Sequence, residues 1–305
     1  MKKFLAIFLF FSVVNSTTSA YATLQTFVSI PPQKWLVEKI GGELVSTSVL
    51  VKGGQDPHTF EPTPQAVASL SDASLWFTVE IAFEKHLVNK IQQIAPKLRI
   101  IDTTKNIEKL FMTSDNLEQH HHHEHHDHAL HRGYDPHVWL SPENLLIMAA
   151  TVEEAMTKAD PENSQEYQKN RKGVEKEFDQ LHQEISQLLA PYKGASFYVF
   201  HPSFGYFAHA YGLEQHAVEV EGKAPSPRQL SQLINKAKAE KVRVIFVQPQ
   251  FDKLSGQVIA SAIGGKVVPM NPLAEDVAAN LQTIAKMISN AMSANSSSFL
   301  KDKTP

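Results

Sequence analysis

The chain has 305 residues, a formal net charge of −3 at pH 7 and no cysteine. Mild acidity gives no support to nucleic-acid binding, which calls for a basic face. Without cysteine there are no disulfides and no thiolate metal sites, so a tight metal site has to draw on His, Asp and Glu.

Residues 1–22 read as a secretory signal peptide. Lys2 and Lys3 give a basic start, 4–14 is an apolar run broken only by Ser12, and Ala20-Tyr21-Ala22 supplies a small-x-small cut site. The run is about half the ~20 residues that a membrane span needs. No other stretch is long and apolar enough, and no lipid-attachment cysteine follows. The expectation is a soluble protein in the periplasm of a Gram-negative cell, without a stable membrane anchor.

Beyond the leader, β-branched and aromatic runs ending in turn chemistry read as strands at 27–30, 48–51, 75–79 and 99–101. Helical patterns lie between them at 33–40, 64–70 and 83–94. The second half repeats this, with strands at 197–201, 217–220, 242–248 and 266–270 and helices at 204–211, 227–239, 256–262 and 276–292. Ser226 before Pro227 fits an N-cap. Such alternation argues for parallel β–α–β units. Gly41-Gly42 and Gly53-Gly54 mark turns, and neither belongs to a G-x-G-x-x-G phosphate loop.

Between the halves runs a polar stretch, 161–190, without strand signal. Val174, Phe178, Leu181, Ile185, Leu188 and Leu189 recur at spacings that mark one helix face, opened by Asp160-Pro161 and stopped by Pro191. A helix of about 29 residues reaches about 43 Å. The heptad pattern is too short and imperfect for a coiled coil. The expected fold class is therefore α/β: two lobes, each a mainly parallel sheet flanked by helices and each with its own core, bridged by one long rigid helix. The expected divisions are 1–22 signal peptide, 23–160 N-terminal lobe (with a His-rich loop at 115–133), 161–191 connecting helix and 192–305 C-terminal lobe. The Ser-rich end from 293 onward reads as frayed.

Three histidines stand at strand-to-helix turns or helix starts. His58 lies in Asp56-Pro57-His58-Thr59-Phe60-Glu61-Pro62, His137 in Asp135-Pro136-His137-Val138-Trp139-Leu140, and His201 in His201-Pro202-Ser203-Phe204-Gly205. In open parallel sheets such turns gather where ligands bind, and three imidazoles in one cleft suit zinc. A lone loop histidine is more often solvated, so the weight rests on the co-location of three. His86, His182, His209 and His216 read as surface or packing residues, and Trp139 as a shield beside His137.

Residues 120–131 hold eight of the fifteen histidines: His120, His121, His122, His123, His125, His126, His128 and His131, with Glu124 and Asp127 among them. The tract has almost no apolar content to bury and can offer exposed, low-affinity zinc sites. It is internal and interrupted by acids, unlike an affinity tag. A plain low-complexity spacer is the competing reading.

These phrases, in this order, resemble the three ligand motifs of the metal-binding solute-binding proteins of zinc and manganese ABC importers. The resemblance covers essentially all of the chain after the leader, including Pro225-Ser226-Pro227 and the ending Asn271-Pro272-Leu273-Ala274-Glu275-Asp276. It implies two α/β lobes bridged by a helix, Zn2+ held in the cleft by His58, His137 and His201, and delivery to the membrane permease of a zinc ABC importer, with no catalysis. Relatives that favour manganese tend to carry a carboxylate at the position of His201, and imidazole suits zinc better. Asn271 stands where many relatives have an aspartate that serves as fourth ligand. Glu61, Asn271, Asp276 or water are the candidates for that position, with Asp276 also suited to a helix start. A manganese-binding protein of the same class is the first alternative. A zinc-dependent hydrolase is the second, although no His-Glu-x-x-His helix is present. A monomer is expected.

Overall fold

The computed structural model describes residues 23–112, 133–219, 225–251 and 253–301, with side chains placed except at 253, 255 and 295–301. The expected signal peptide at 1–22 and the histidine run at 120–131 lie outside the described residues. Among the described residues, eight strands form two all-parallel sheets. β1 (Leu24–Val28), β2 (Val45–Val49), β3 (Leu75–Thr78) and β4 (Arg99–Asp102) lie in the order β2-β1-β3-β4. β5 (Ser196–Val199), β6 (Glu214–Ala217), β7 (Val244–Val247) and β8 (Lys266–Pro269) lie in the order β6-β5-β7-β8. The two sheets share one topology, and each has a switch point beside its first strand, where crevices for ligands form.

Parallel neighbours need crossover connections. Helices α1 (Pro31–Gly41), α2 (Pro64–Ser71) and α3 (Ala82–Ile94) lie between the strands of the first sheet. The inner strands β3 and β7, Leu-Trp-Phe-Thr and Val-Ile-Phe-Val, are buried along their whole length, as coverage on both faces requires. Buried Gln33 ties the first sheet to α1. Its Oε1 accepts from the backbone N–H of Ser29 at 3.0 Å, and its Nε2 donates to the Phe77 carbonyl at 3.2 Å.

The middle of the chain forms α4 (Pro142–Ala159), a 3-10 turn at Pro161–Asn163 and α5 (Ser164–Leu189). The α5 positions Tyr167, Val174, Phe178, Leu181, Ile185 and Leu189 are buried, as their spacing requires. Asp160 opens the segment by accepting from Asn163 Nδ2 and Tyr167 Oη, each at 2.7 Å. Leu188 departs from the expected face and is 36% exposed, because neighbouring Leu189 takes the inward position.

After β5 come α6 (Gly205–Tyr211), α7 (Pro227–Ala239) and α8 (Lys253–Ala262), and α9 (Val277–Lys301) closes the described chain. Ser226 caps α7 by accepting from the Gln229 backbone N–H, and Pro227 takes the first helical position. Helix α5 packs against α1, α4 and α9. The expectation of a separate core in each lobe is corrected here. One hydrophobic cluster runs from Trp76 and Phe77 through Phe178 of α5 and Leu281 of α9 to Phe197 and Phe246 of the second sheet. Only the outer face of that sheet, around Tyr198, Ile245 and Leu233, has a cluster of its own.

Other expectations shift. The sixth strand is Glu214–Ala217 rather than 217–220, because a polar edge strand carries little strand signal. β5 ends at Val199, so His201 stands two residues past the strand. α9 continues through Lys301 instead of fraying at 293, since no Gly or Pro interrupts it.

Candidate metal centre

Both Asp-Pro-His triplets use their aspartate in the same way. Asp56 Oδ1 accepts from the His58 backbone N–H at 2.9 Å, and Asp135 Oδ1 accepts from the His137 backbone N–H at 2.9 Å. Each is an Asx turn with proline fixing the middle residue, which sets the direction of the following histidine. His58 sits on the loop between β2 and α2. His137 leads into a 3-10 turn at Val138–Leu140 and then α4. His201 is clamped at its backbone by Gln248, which follows β7. Gln248 Oε1 accepts from the His201 N–H at 3.1 Å, and Gln248 Nε2 donates to the His201 carbonyl at 2.5 Å.

The three imidazoles converge. Ring centroids are 5.6 Å apart for His58 and His137, 4.8 Å for His58 and His201, and 5.3 Å for His137 and His201. One nitrogen from each ring lies within 4.8 Å of the others. Zinc–nitrogen bonds of about 2.0–2.1 Å in tetrahedral geometry put ligand nitrogens about 3.3 Å apart. The trio therefore has to close by at most about 1.5 Å around such an ion.

His137 and His201 are buried and His58 is exposed. His137 Nδ1 lies 2.6 Å from Asp135 Oδ1, and His201 Nδ1 lies 2.6 Å from Glu219 Oε1. A carboxylate can only accept, so each Nδ1 carries the hydrogen and each Nε2 is left as the free donor atom. His201 Nε2 is buried without a hydrogen-bond partner. His58 keeps an open face, yet the protein crowded around its ring desolvates the imidazolium. That burial, with the neighbouring His201 as second cause, lowers its pKa and favours the neutral form that binds metals.

The rings face a cavity of about 20 Å³, walled by Ile81, Trp139, Phe251 and Leu273. That volume holds one ion or one water and no organic solute. Phe251 stacks on His201 at 4.9 Å, and Trp139 lies 5.3 Å from His137. Trp139 also donates from Nε1 to the Pro272 carbonyl at 2.7 Å, which holds the 271–276 segment against the cavity.

The three fourth-position candidates do not line this cavity. Glu61 is exposed in an adjoining groove lined by Phe60, Phe83 and His86. Asn271 turns its side-chain oxygen to the Leu273 backbone N–H at 2.9 Å. Asp276 caps α9, accepting from the Ala279 backbone N–H at 3.0 Å. Asp56 does line the cavity, but its Oδ1 serves the His58 N–H and its Oδ2 accepts from Thr59 Oγ1 at 3.2 Å. His86 and His209 are exposed, whereas His216 is a buried packing residue. Sequence reasoning gave no role to Asp135, Glu219 or Gln248. The repeated Asp-Pro-His spelling carried a signal for Asp135. Glu219 and Gln248 carry none, because they reach His201 from 18 and 47 residues away.

Two parallel-sheet lobes meeting over a single-ion cavity and joined by a packed helix define a two-lobed α/β solute-binding protein. The chain belongs to the family described as zinc-uptake complex component A periplasmic, ZnuA, whose profile matches residues 27–295. A crystal structure of ZnuA is 38% identical with a TM-score of 0.80, over 88% of this chain and 99% of that one. The high-affinity zinc uptake system protein ZnuA of Yersinia pestis is 25% identical over 282 residues, covering 88% of this chain and 89% of the relative. A putative metal-binding protein of Chlamydia muridarum is 28% identical over 262 residues, covering 86% and 89%.

Proposed function

We propose that His58, His137 and His201 bind one Zn2+ in the cleft, and that the protein delivers this ion to the membrane permease of a zinc ABC importer. The observation that carries the reading is the convergence of three imidazole nitrogens within 4.8 Å on a cavity of about 20 Å³. An all-nitrogen donor set suits zinc and disfavours manganese, and the relatives named for zinc uptake support the same choice. The family is one of transport proteins, and the ion is cargo rather than a resident cofactor.

Finer points belong to the same reading. Water takes the fourth position, since none of Glu61, Asn271 and Asp276 lines the cavity. The mature chain begins at residue 23, works as a monomer in the periplasm of a Gram-negative cell, and divides at 160 and 191 into two lobes and a connecting helix. His120, His121, His122, His123, His125, His126, His128 and His131 gather zinc at low affinity ahead of the cleft.

Calorimetric titration with zinc and with manganese tests this on protein lacking residues 1–22. One tight zinc site is expected, with manganese far weaker. His58→Ala should weaken zinc by more than about a hundredfold, since loss of a partner outside the ligand shell already costs about 10–100-fold. Deleting 120–131 should keep the tight site and lower the number of weak ones. Tight manganese with weak zinc would overturn the metal assignment, and a tight site lost with 120–131 would overturn the cleft.

A further inference from the structure

Two buried carboxylates stand behind the cavity, one for each buried imidazole. Glu219 is 5% exposed and Asp135 is 3% exposed. Each has a histidine ring as its ion-pair neighbour, and no lysine or arginine pairs with either among the described residues. A buried carboxylate whose negative charge is left unbalanced is costly. A divalent cation on the far nitrogens of the same two rings offsets that cost, two negative charges against two positive.

We propose, resting on the zinc reading above, that Glu219 and Asp135 are positioning residues for metal capture. Each fixes its ring with Nδ1 as donor, turns Nε2 to the cavity and balances the charge of the ion through the imidazole. The packing is built for this. A side chain at Gly205 would put Cβ 2.5 Å from Asp135 Oδ2, so glycine there lets the carboxylate sit against the start of α6. Gln248 holds the His201 backbone while Glu219 holds its ring. His58 has no such support among the described residues: Asp56 accepts from a backbone N–H and from Thr59, and no carboxylate is hydrogen-bonded to the His58 ring. Two ligands are preset, one from each lobe, and the exposed third completes the site.

The test compares wild type, Glu219→Gln, Asp135→Asn and His201→Ala by zinc calorimetry, melting of the zinc-free proteins and visible spectra of the cobalt(II)-loaded proteins. Glu219→Gln keeps the shape and removes the charge. It is expected to weaken zinc by about 10–100-fold and to change the cobalt bands, with zinc-free melting at or above that of wild type. Asp135→Asn provides the same comparison from the other lobe if Glu219→Gln folds poorly. Wild-type affinity and spectra in both variants, with binding lost in His201→Ala, would overturn the proposal and leave the zinc site standing. Weaker binding that merely tracks lost thermal stability, with unchanged cobalt bands, would overturn it too. A wild-type protein without tight zinc binding would remove the zinc reading and this inference together.

Discussion

At the scale of single residues, histidines divide by what surrounds them. His58, His137 and His201 point donors at a shared cavity. His216 is buried beside Tyr198, with Ser196 Oγ at 3.1 Å from its Nε2. Burial first, and Lys236 second, lower its pKa to about 4 from the usual 6.5. The unfolded chain thus binds a proton that the folded chain refuses between about pH 6.5 and about pH 4. Stability falls as pH drops through that window. The full shift corresponds to about 3 kcal/mol, and solvent screening reduces this to about 1–2 kcal/mol. Urea melts at pH 7 and pH 4 are expected to show that much less acid loss in His216→Gln than in wild type; equal losses would place the sensitivity elsewhere. The three cavity histidines were legible because each stands at a strand-to-helix turn or a helix start in sequence. Their carboxylate partners were hidden, because Glu219 meets His201 only through the pairing of β5 with β6.

Helix ends and helix faces decide the element scale. Asp276 was readable as a ligand or as a cap, and the fold gives it the cap of α9, on the groove that borders Glu177 and Glu184 of α5. Asp276→Ala is expected to cost about 1 kcal/mol and to leave zinc affinity unchanged. A melting curve and a zinc titration check both halves, and a large loss of affinity would return Asp276 to the site. The long helix was legible from its apolar spacing alone. The polar edge strand β6 was not, since Glu214-Gln215-His216 has no strand preference and takes its conformation from pairing with β5. The base of the His-rich insertion was equally silent. There Phe111 pairs with Tyr134 in an antiparallel bridge, with rings stacked at 5.0 Å.

Across the whole molecule, the sequence pattern announced two lobes and could not announce that they share a core. Spacing reports which face of α5 is apolar, not that α1, α4 and α9 all use it. Shared packing joins the lobes in one cooperative unit. A single calorimetric transition is expected for the zinc-free protein. Free zinc at about a hundred times Kd should stabilise it by about 2.7 kcal/mol. Two separate transitions, only one of them moved by zinc, would show lobes that unfold independently.

The proposed donors are all nitrogen, no sulfur-containing side chain among the described residues lines the cavity, and the chain has no cysteine. Peroxide and hypochlorite eject zinc from thiolate sites by oxidising sulfur, and here they would find none to attack. Under oxidative stress, when thiolate proteins shed their zinc, a carrier built this way would keep its grip and remain able to collect what the others release.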